Sequence, residues 1–339
     1  MEWSNYIQHF YPLIAKYFSK IIKADSWHHA YLFIGNEELG LDRISKEIAL
    51  NMINTRLSNE EYKEKIKNQF YKGTYPDLYI LERLYDDKKK KLNQNITIEQ
   101  VRELKSKIQH KSFLNLPKII IIKDVDRLNK DSANALLKAL EEPAKETIFF
   151  LLTENLSVVL DTIISRCQNI RFYQQSLVKV KDFLKTEYAI SSEKATNIAH
   201  LSSGLPERAI AYQKNIDIYN EYLEYIDKVL EIFSVLLHKR FEIVHDLIPK
   251  KVKDYNSKKA LAEKLLNLLE IIFRDMLLMK QSLDNLIYLE LRYKELKEIS
   301  QRYSQEEITK CLEMIQESRI ALRQNLNISL VLENLLVNI

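Results

Sequence analysis

The sequence predicts an α/β core built on a parallel sheet followed by an all-helical second half, and three observations carry that prediction. Five short apolar runs alternate with helical patterns between about residues 30 and 172. The frame Gly35-Asn36-Glu37-Glu38-Leu39-Gly40 falls between the first run and the first helical pattern, the setting in which a phosphate-binding loop occurs. Beyond Gly204 there is no glycine, beyond Pro206 the only proline is Pro249, and strand signals vanish.

The runs are Tyr31-Leu32-Phe33-Ile34, Leu78-Tyr79-Ile80-Leu81, Ile119 to Ile122, Ile148 to Leu152 and Ile170-Arg171-Phe172. Runs this continuous suit central strands covered by helices on both faces. Ile44, Ile48 and Met52 give the helix after the glycine frame its buried face, and Ala133, Leu136, Leu137 and Leu140 recur at i, i+3, i+4, i+7 until Pro143 stops that helix. In the second half, apolar spacing through Ile218 to Leu237, Leu261 to Met279, Leu283 to Ile299, Ile308 to Leu322 and Ile328 to Leu336 reads as about five amphipathic helices. The division expected is residues 1–175 for the core, 176–212 for a small helical lid and 213–339 for a helical domain.

The 339 residues are 46% hydrophobic and 29% charged, ordinary proportions for a folded soluble chain. No run is long and apolar enough to span a bilayer, and the start lacks a signal-peptide layout, so a cytoplasmic protein is expected, with no membrane partner. Cys167 and Cys311 form no C-x-x-C ligand pair, which argues against a zinc site and a disulfide framework. A net charge of +4 permits nucleic-acid contact without requiring it. The run Asp86-Asp87-Lys88 to Lys91 followed by Asn93 looks like a solvated hairpin tip, with DNA contact as the minority reading.

The frame Gly35 to Asp42 keeps the glycines of G-x-x-x-x-G-K-[ST] and has lost its chemistry. Leu41 stands where a lysine would reach the β- and γ-phosphates, and Asp42 where a hydroxyl would hold Mg²⁺. Taken alone, the frame fits a plain strand-turn-helix equally well. The strand Ile119 to Ile122 runs into Lys123-Asp124-Val125-Asp126, placing the cation Lys123 where an ATPase needs a metal-binding Asp. On its own this reads as a solvated strand end; together with Leu41 and Asp42, it repeats one defect at two parts of one site. Asp42 and Lys123 would converge on the absent metal's position, so an ion pair between them is expected to fill it, with Glu37 and Glu38 as competitors.

Four segments carry a resemblance: His29 to Phe33, Tyr75-Pro76-Asp77-Leu78, the run Ser132 to Pro143 containing N-A-L-L-K-A-L-E-E-P, and Thr162 to Cys167 ending in S-R-C. The chain is similar to bacterial clamp-loader subunits of DNA polymerase III, AAA+ proteins that include the ATPase subunit gamma/tau and the non-hydrolysing delta-prime. The ruined loop and Lys123 favour the delta-prime branch. Gly204 to Ala209 resembles the sensor-2 segment, Phe273 to Leu277 a collar helix, and Asn325 to Leu336 the terminal helix, so the resemblance covers nearly the whole chain.

The resemblance implies an AAA+ core, a lid and an oligomerising collar, in a ring with gamma/tau and delta subunits that loads the sliding clamp on primed DNA. It implies that Arg166, flanked by Ser165 and Cys167, acts in trans at a neighbour's ATP site as part of the polymerase holoenzyme. No intrinsic ATPase is expected and no cofactor of the chain's own, ATP being held by neighbouring subunits. The bland alternative for Arg166 is a local carboxylate partner. Cys167 is expected to be a buried residue rather than a reactive thiol. Arg208 and Thr153, at sensor positions, are demoted to structural roles, and His28 and His29 are expected to pack rather than ligate. Family members commonly carry a four-cysteine zinc module after the loop helix; about Asn54 to Gly73 has no cysteine here and is expected to be helical without metal. The other functional readings are an active gamma/tau-like ATPase and a basic DNA-binding module.

Overall fold

The computed structural model describes residues 2–86, 91–249, 252 and 254–339. The chain divides into two compact units, Met1–Tyr188 with Leu205–Glu207, and Ala189–Gly204 with Arg208–Ile339. The expected lid, 176–212, is shared out between them: the helix Leu177–Tyr188 belongs to the first unit and Ser192–Leu201 to the second.

Seven strands occur among the described residues of the first unit: β1 Ala30–Ile34, β2 Leu78–Leu81, β3 Tyr85–Asp86, β4 Lys91–Leu92, β5 Lys118–Ile122, β6 Thr147–Thr153 and β7 Gln168–Arg171. Five of them form one sheet in the order β2-β5-β6-β1-β7, all parallel. β1, β5 and β6 are buried along their whole length, as strands covered on both faces must be. The expectation that all five runs are central is corrected at β2 and β7. They are the sheet edges, and Ile80, Gln168, Asn169 and Arg171 face solvent. β3 and β4 pair antiparallel, flanking the expected hairpin tip; Lys88 to Lys90 and the side chain of Lys91 lie outside the described residues.

The helices follow the apolar spacing. Leu41–Asn54 buries Ile44, Ile48 and Met52 completely, and Lys130–Glu141 buries Ala133, Leu136 and Leu140 and ends two residues before Pro143. The cysteine-free insertion holds the helix Glu60–Tyr71. Two N-terminal helices, Asn5–Phe10 and Pro12–Lys23, were not anticipated. The Ser4 hydroxyl caps the first by accepting from the Ile7 N–H, and Glu47 of the helix Leu41–Asn54 accepts from both the N–H and the hydroxyl of Ser4.

In the second unit the helix Tyr255–Lys280 is the centre, packed against Gln305–Arg323 and Tyr293–Ser300. Phe233, Phe273 and Tyr303 meet edge to face with centroids 5.6–6.3 Å apart. Two of the expected helices differ. Ile218 to Leu237 breaks at Glu231, and a separate helix Leu237–Leu247 follows. The span Leu283 to Ile299 becomes helical only at Tyr293, after two 3₁₀ turns, Asp284–Leu286 and Glu290–Arg292. The cause is Asp275, fully buried, whose carboxylate accepts from the Tyr288 and Leu289 N–H groups and so diverts them from a helical ladder.

Candidate functional site

Strand register sets where the loop sits. Ile34 lies opposite Thr153, Ile122 opposite Leu151 and Leu81 opposite Ile122, so the ends of β1, β6, β5 and β2 share one edge of the sheet. Ligands of open α/β sheets bind beyond such carboxyl ends. A cleft of about 290 Å³ lies there, lined by Gly35, Leu41, Leu152, Thr153, the single cation Lys123 and six carboxylates, Glu37, Glu38, Asp42, Asp124, Glu154 and Glu207.

The loop's own amides are largely committed. Glu37–Leu39 is a 3₁₀ turn; the Asn36 side chain accepts from the Glu38 N–H, the Asn36 carbonyl from Leu39 and the Glu37 carbonyl from Gly40. The Glu37 N–H donates to the Glu154 carboxylate at 2.8 Å, so a side chain takes the kind of contact an anion would seek from this loop. Gly40 begins the helix Leu41–Asn54 in the left-handed conformation, φ 84°, and a Cβ there would overlap the Tyr6 hydroxyl. Tyr6 and Tyr11 both donate to the Leu39 carbonyl, at 2.9 and 2.7 Å. Arg43 stacks over the Tyr6 ring and pairs with Glu207 at 2.8 Å.

The expected Asp42–Lys123 pair is present at 3.7 Å and is the weaker contact of both partners. Lys123 is 2.9 Å from Glu82, and Asp42 is 2.7 Å from Lys46 one turn along its helix. Glu82, not Glu37 or Glu38, is therefore the competitor. Burial works against the Lys123 ammonium, but the Glu82 hydrogen bond and the charges of Asp42, Glu82 and Asp124 outweigh it and raise its affinity for the proton. Asp124 accepts from Arg83 at 2.8 Å, and the buried Thr153 hydroxyl donates to Asp126 at 3.0 Å. Burial, then the Glu154 charge, pushes the Glu37 carboxyl up; burial likewise raises Glu154, helped by Asp126 and Asp124.

This arrangement does not fit a nucleoside triphosphate with its metal. Bringing one unit negative charge to about 4 Å from one carboxylate costs about 4 kcal/mol at the effective permittivity of a protein surface. The lysine and hydroxyl that would offset that cost in a working loop are Leu41 and Asp42 here.

Arg166 is not among the cleft's lining residues. It follows the short helix Asp161–Ile164, donates from Nη1 to the Thr162 carbonyl at 2.8 Å and from Nη2 to Glu141 at 2.5 Å. Within the isolated chain it thus has the local carboxylate partner that the bland alternative names. The Ser165 hydroxyl donates to the Thr162 carbonyl, while Cys167 is buried in the core with its thiol pushed up to about 12 by burial, which leaves it inert. Arg208 is half-buried in the second unit, near enough to Lys264 to help lower that ammonium's proton affinity after burial. His28 and His29 stack at 4.4 Å, and among the described residues no group of three or more His, Cys, Asp or Glu could hold a metal ion. Nor is any described helix long and apolar enough to cross a membrane.

The Tyr-Pro-Asp segment is structural. Asp77, fully buried, accepts from the Ser112 hydroxyl and the Phe113 N–H, each at 2.9 Å, and from the Leu114 N–H. Tyr6, Tyr11, Glu82 and Glu154 escaped sequence reasoning, and Glu141 and Glu207 entered it only as members of their motifs, with no role read for either. Only the helical spacing of Tyr6, Ile7 and Phe10 after Ser4 offered a local signal.

Comparison with known proteins agrees with the resemblance. The family described as "DNA polymerase III, delta subunit" matches residues 11–176. The delta-prime subunit of Bacillus subtilis DNA polymerase III is 28% identical over 332 residues, 96% of this chain and 95% of its own. The Escherichia coli delta-prime subunit is 27% identical over 206 residues, 59% of this chain and 60% of its own. A Haemophilus influenzae tau/gamma subunit is 30% identical over 158 residues, 46% of this chain and 21% of its own. With these matches, the parallel sheet and the loop frame together, the chain is similar along nearly its whole length to a delta-prime subunit of DNA polymerase III.

Proposed function

We propose that the protein is a clamp-loader subunit that neither binds nor hydrolyses ATP. It scaffolds a ring with gamma/tau and delta subunits and supplies Arg166 to the ATP site of a neighbouring subunit during loading of the sliding clamp on primed DNA. The observation that carries the first half is the cleft's own side chains: Glu154 takes the Glu37 amide, Tyr6 fills the space beside Gly40, and Lys123 stands beside Asp42 where a metal would sit. The second half is supported by the S-R-C motif, where a fixed guanidinium can offset charge on a transferred phosphoryl group.

The isolated protein is expected to show no ATP turnover above a mock purification, and the double substitution Leu41→Lys with Asp42→Thr to restore none, because Lys123 and Glu154 remain. Turnover by the purified wild-type chain would establish the gamma/tau-like reading instead. In the assembled loader, Arg166→Ala leaves assembly intact and lowers DNA- and clamp-stimulated ATPase. Finger arginines contribute about 10³ to 10⁵ at one site, diluted here by the remaining sites. Unchanged ATPase and clamp-loading rates would remove Arg166 from the mechanism.

A further inference from the structure

The two most specific motifs of the sequence, N-A-L-L-K-A-L-E-E-P and S-R-C, are joined in space by one contact. The helix Lys130–Glu141 packs against the short helix Asp161–Ile164, and the last residue of the first, Glu141, takes Nη2 of Arg166 at 2.5 Å. The Thr162 carbonyl takes Nη1 at 2.8 Å.

Glu141 is poorly placed for its own helix. It brings a negative charge to the terminus where carbonyls already gather partial negative charge. That placement is offset from outside the helix, by the Arg166 guanidinium that pairs with the Glu141 carboxylate. The pair is half-exposed, with 34% of the Arg166 side chain and 46% of the Glu141 side chain accessible, so it contributes little to stability. What it does contribute is orientation. A guanidinium is a rigid plane with five N–H donors; one hydrogen bond leaves it free to swing, whereas two at different nitrogens fix the plane. The Nε–H and one N–H on each Nη stay uncommitted among the described residues.

We propose that Glu141 is the positioning residue for Arg166, holding the guanidinium in a set orientation so that its remaining donors meet an anionic phosphoryl group on the neighbouring subunit; this rests on the reading of Arg166 as a trans-acting finger. Misplacement of a positioned group by about 1 Å costs up to about 10² in rate at that site, so losing one of two tethers is a rate effect rather than a folding effect.

The test uses the full loader assembled with gamma/tau and delta, with clamp and primed DNA, and measures kcat and KM for ATP. Glu141→Ala is expected to reproduce at least about half of the kcat loss caused by Arg166→Ala, with KM for ATP and assembly unchanged. Glu141→Gln, which retains an acceptor oxygen, restores most of that rate. In the Arg166→Ala background, Glu141→Ala adds nothing further, as two residues acting through one group must behave. Wild-type kcat in Glu141→Ala beside a lowered kcat in Arg166→Ala would overturn the positioning role and leave the finger standing. A loss that adds independently to that of Arg166→Ala would overturn it too. If neither single variant changes the rate, the finger reading itself falls.

Discussion

Gly40 is held by two constraints that can be separated. Its φ of 84° costs an L-residue roughly 1–2 kcal/mol, and the space for a Cβ is already filled by the Tyr6 hydroxyl. Gly40→Ala is therefore expected to destabilise by more than the backbone term alone. Tyr6→Phe removes the overlapping oxygen and loses about 1 kcal/mol of hydrogen bonding, since Tyr11 still donates to Leu39. The double variant should recover about 1 kcal/mol relative to the sum of the single losses; strict additivity in chemical denaturation would show that Tyr6 does not press on the loop. The contrast between Gly40 and Tyr6 also explains what was legible at this scale. Leu41, Asp42 and Lys123 could be read because each stands at a fixed offset from a strand or a glycine. Tyr6, Glu154 and Glu82 reach the same edge from distant parts of the chain, and no periodicity records such meetings. The Asp42–Lys123 pair was foreseen from shared function, and its weakness, with Lys46 and Glu82 closer, was not.

At the level of elements, apolar runs and helical spacing located all five strands of the main sheet, because burial is what those patterns encode. They did not tell edge from centre, since a four-residue run has the same composition in either place. They also misread Leu283 to Ile299, where a single buried acid decides the backbone. Burial pushes the Asp275 carboxyl up to about 6, against the Leu289 and Tyr288 N–H bonds and the Arg274 charge, which hold it down. The folded chain thus binds this proton more tightly than the unfolded chain, whose carboxyl titrates near 3.8. The resulting stability is full below about pH 4 and is lost as pH rises through about 6, a change of about 3 kcal/mol. Unfolding free energies of the wild type and Asp275→Asn, compared from pH 4 to 7, should show the wild type losing its relative advantage over that window. A constant difference would mean that Asp275 is not desolvated. Because Asn cannot accept on its amide nitrogen, the variant should also be less stable at pH 4.

Across the molecule, chemistry and architecture are distributed unevenly. The chain carries a net +4, yet the cleft at the loop is lined by six acids and one lysine, so the charge at this sheet edge is opposite in sign to that of the chain as a whole. The family motifs divide likewise: the glycine frame now shapes a closed loop, Tyr-Pro-Asp builds structure, and S-R-C presents a guanidinium. The loop that Asp77 anchors carries a further consequence. Phe113 is 72% exposed, and by surface accessibility alone its segment would rank with mobile connections. Its amide hydrogen, however, is bonded to a fully buried carboxylate, as is that of Leu114. Solvent exchange of those two hydrogens requires Asp77 to be freed, not the loop merely to breathe. Deuterium labelling should therefore find Phe113 and Leu114 protected as slowly as the adjoining strand β5, and Asp77→Ala should release them to the rate of an open coil while the strand's own protons stay slow: a solvent-facing aromatic ring mounted on a backbone that behaves as interior.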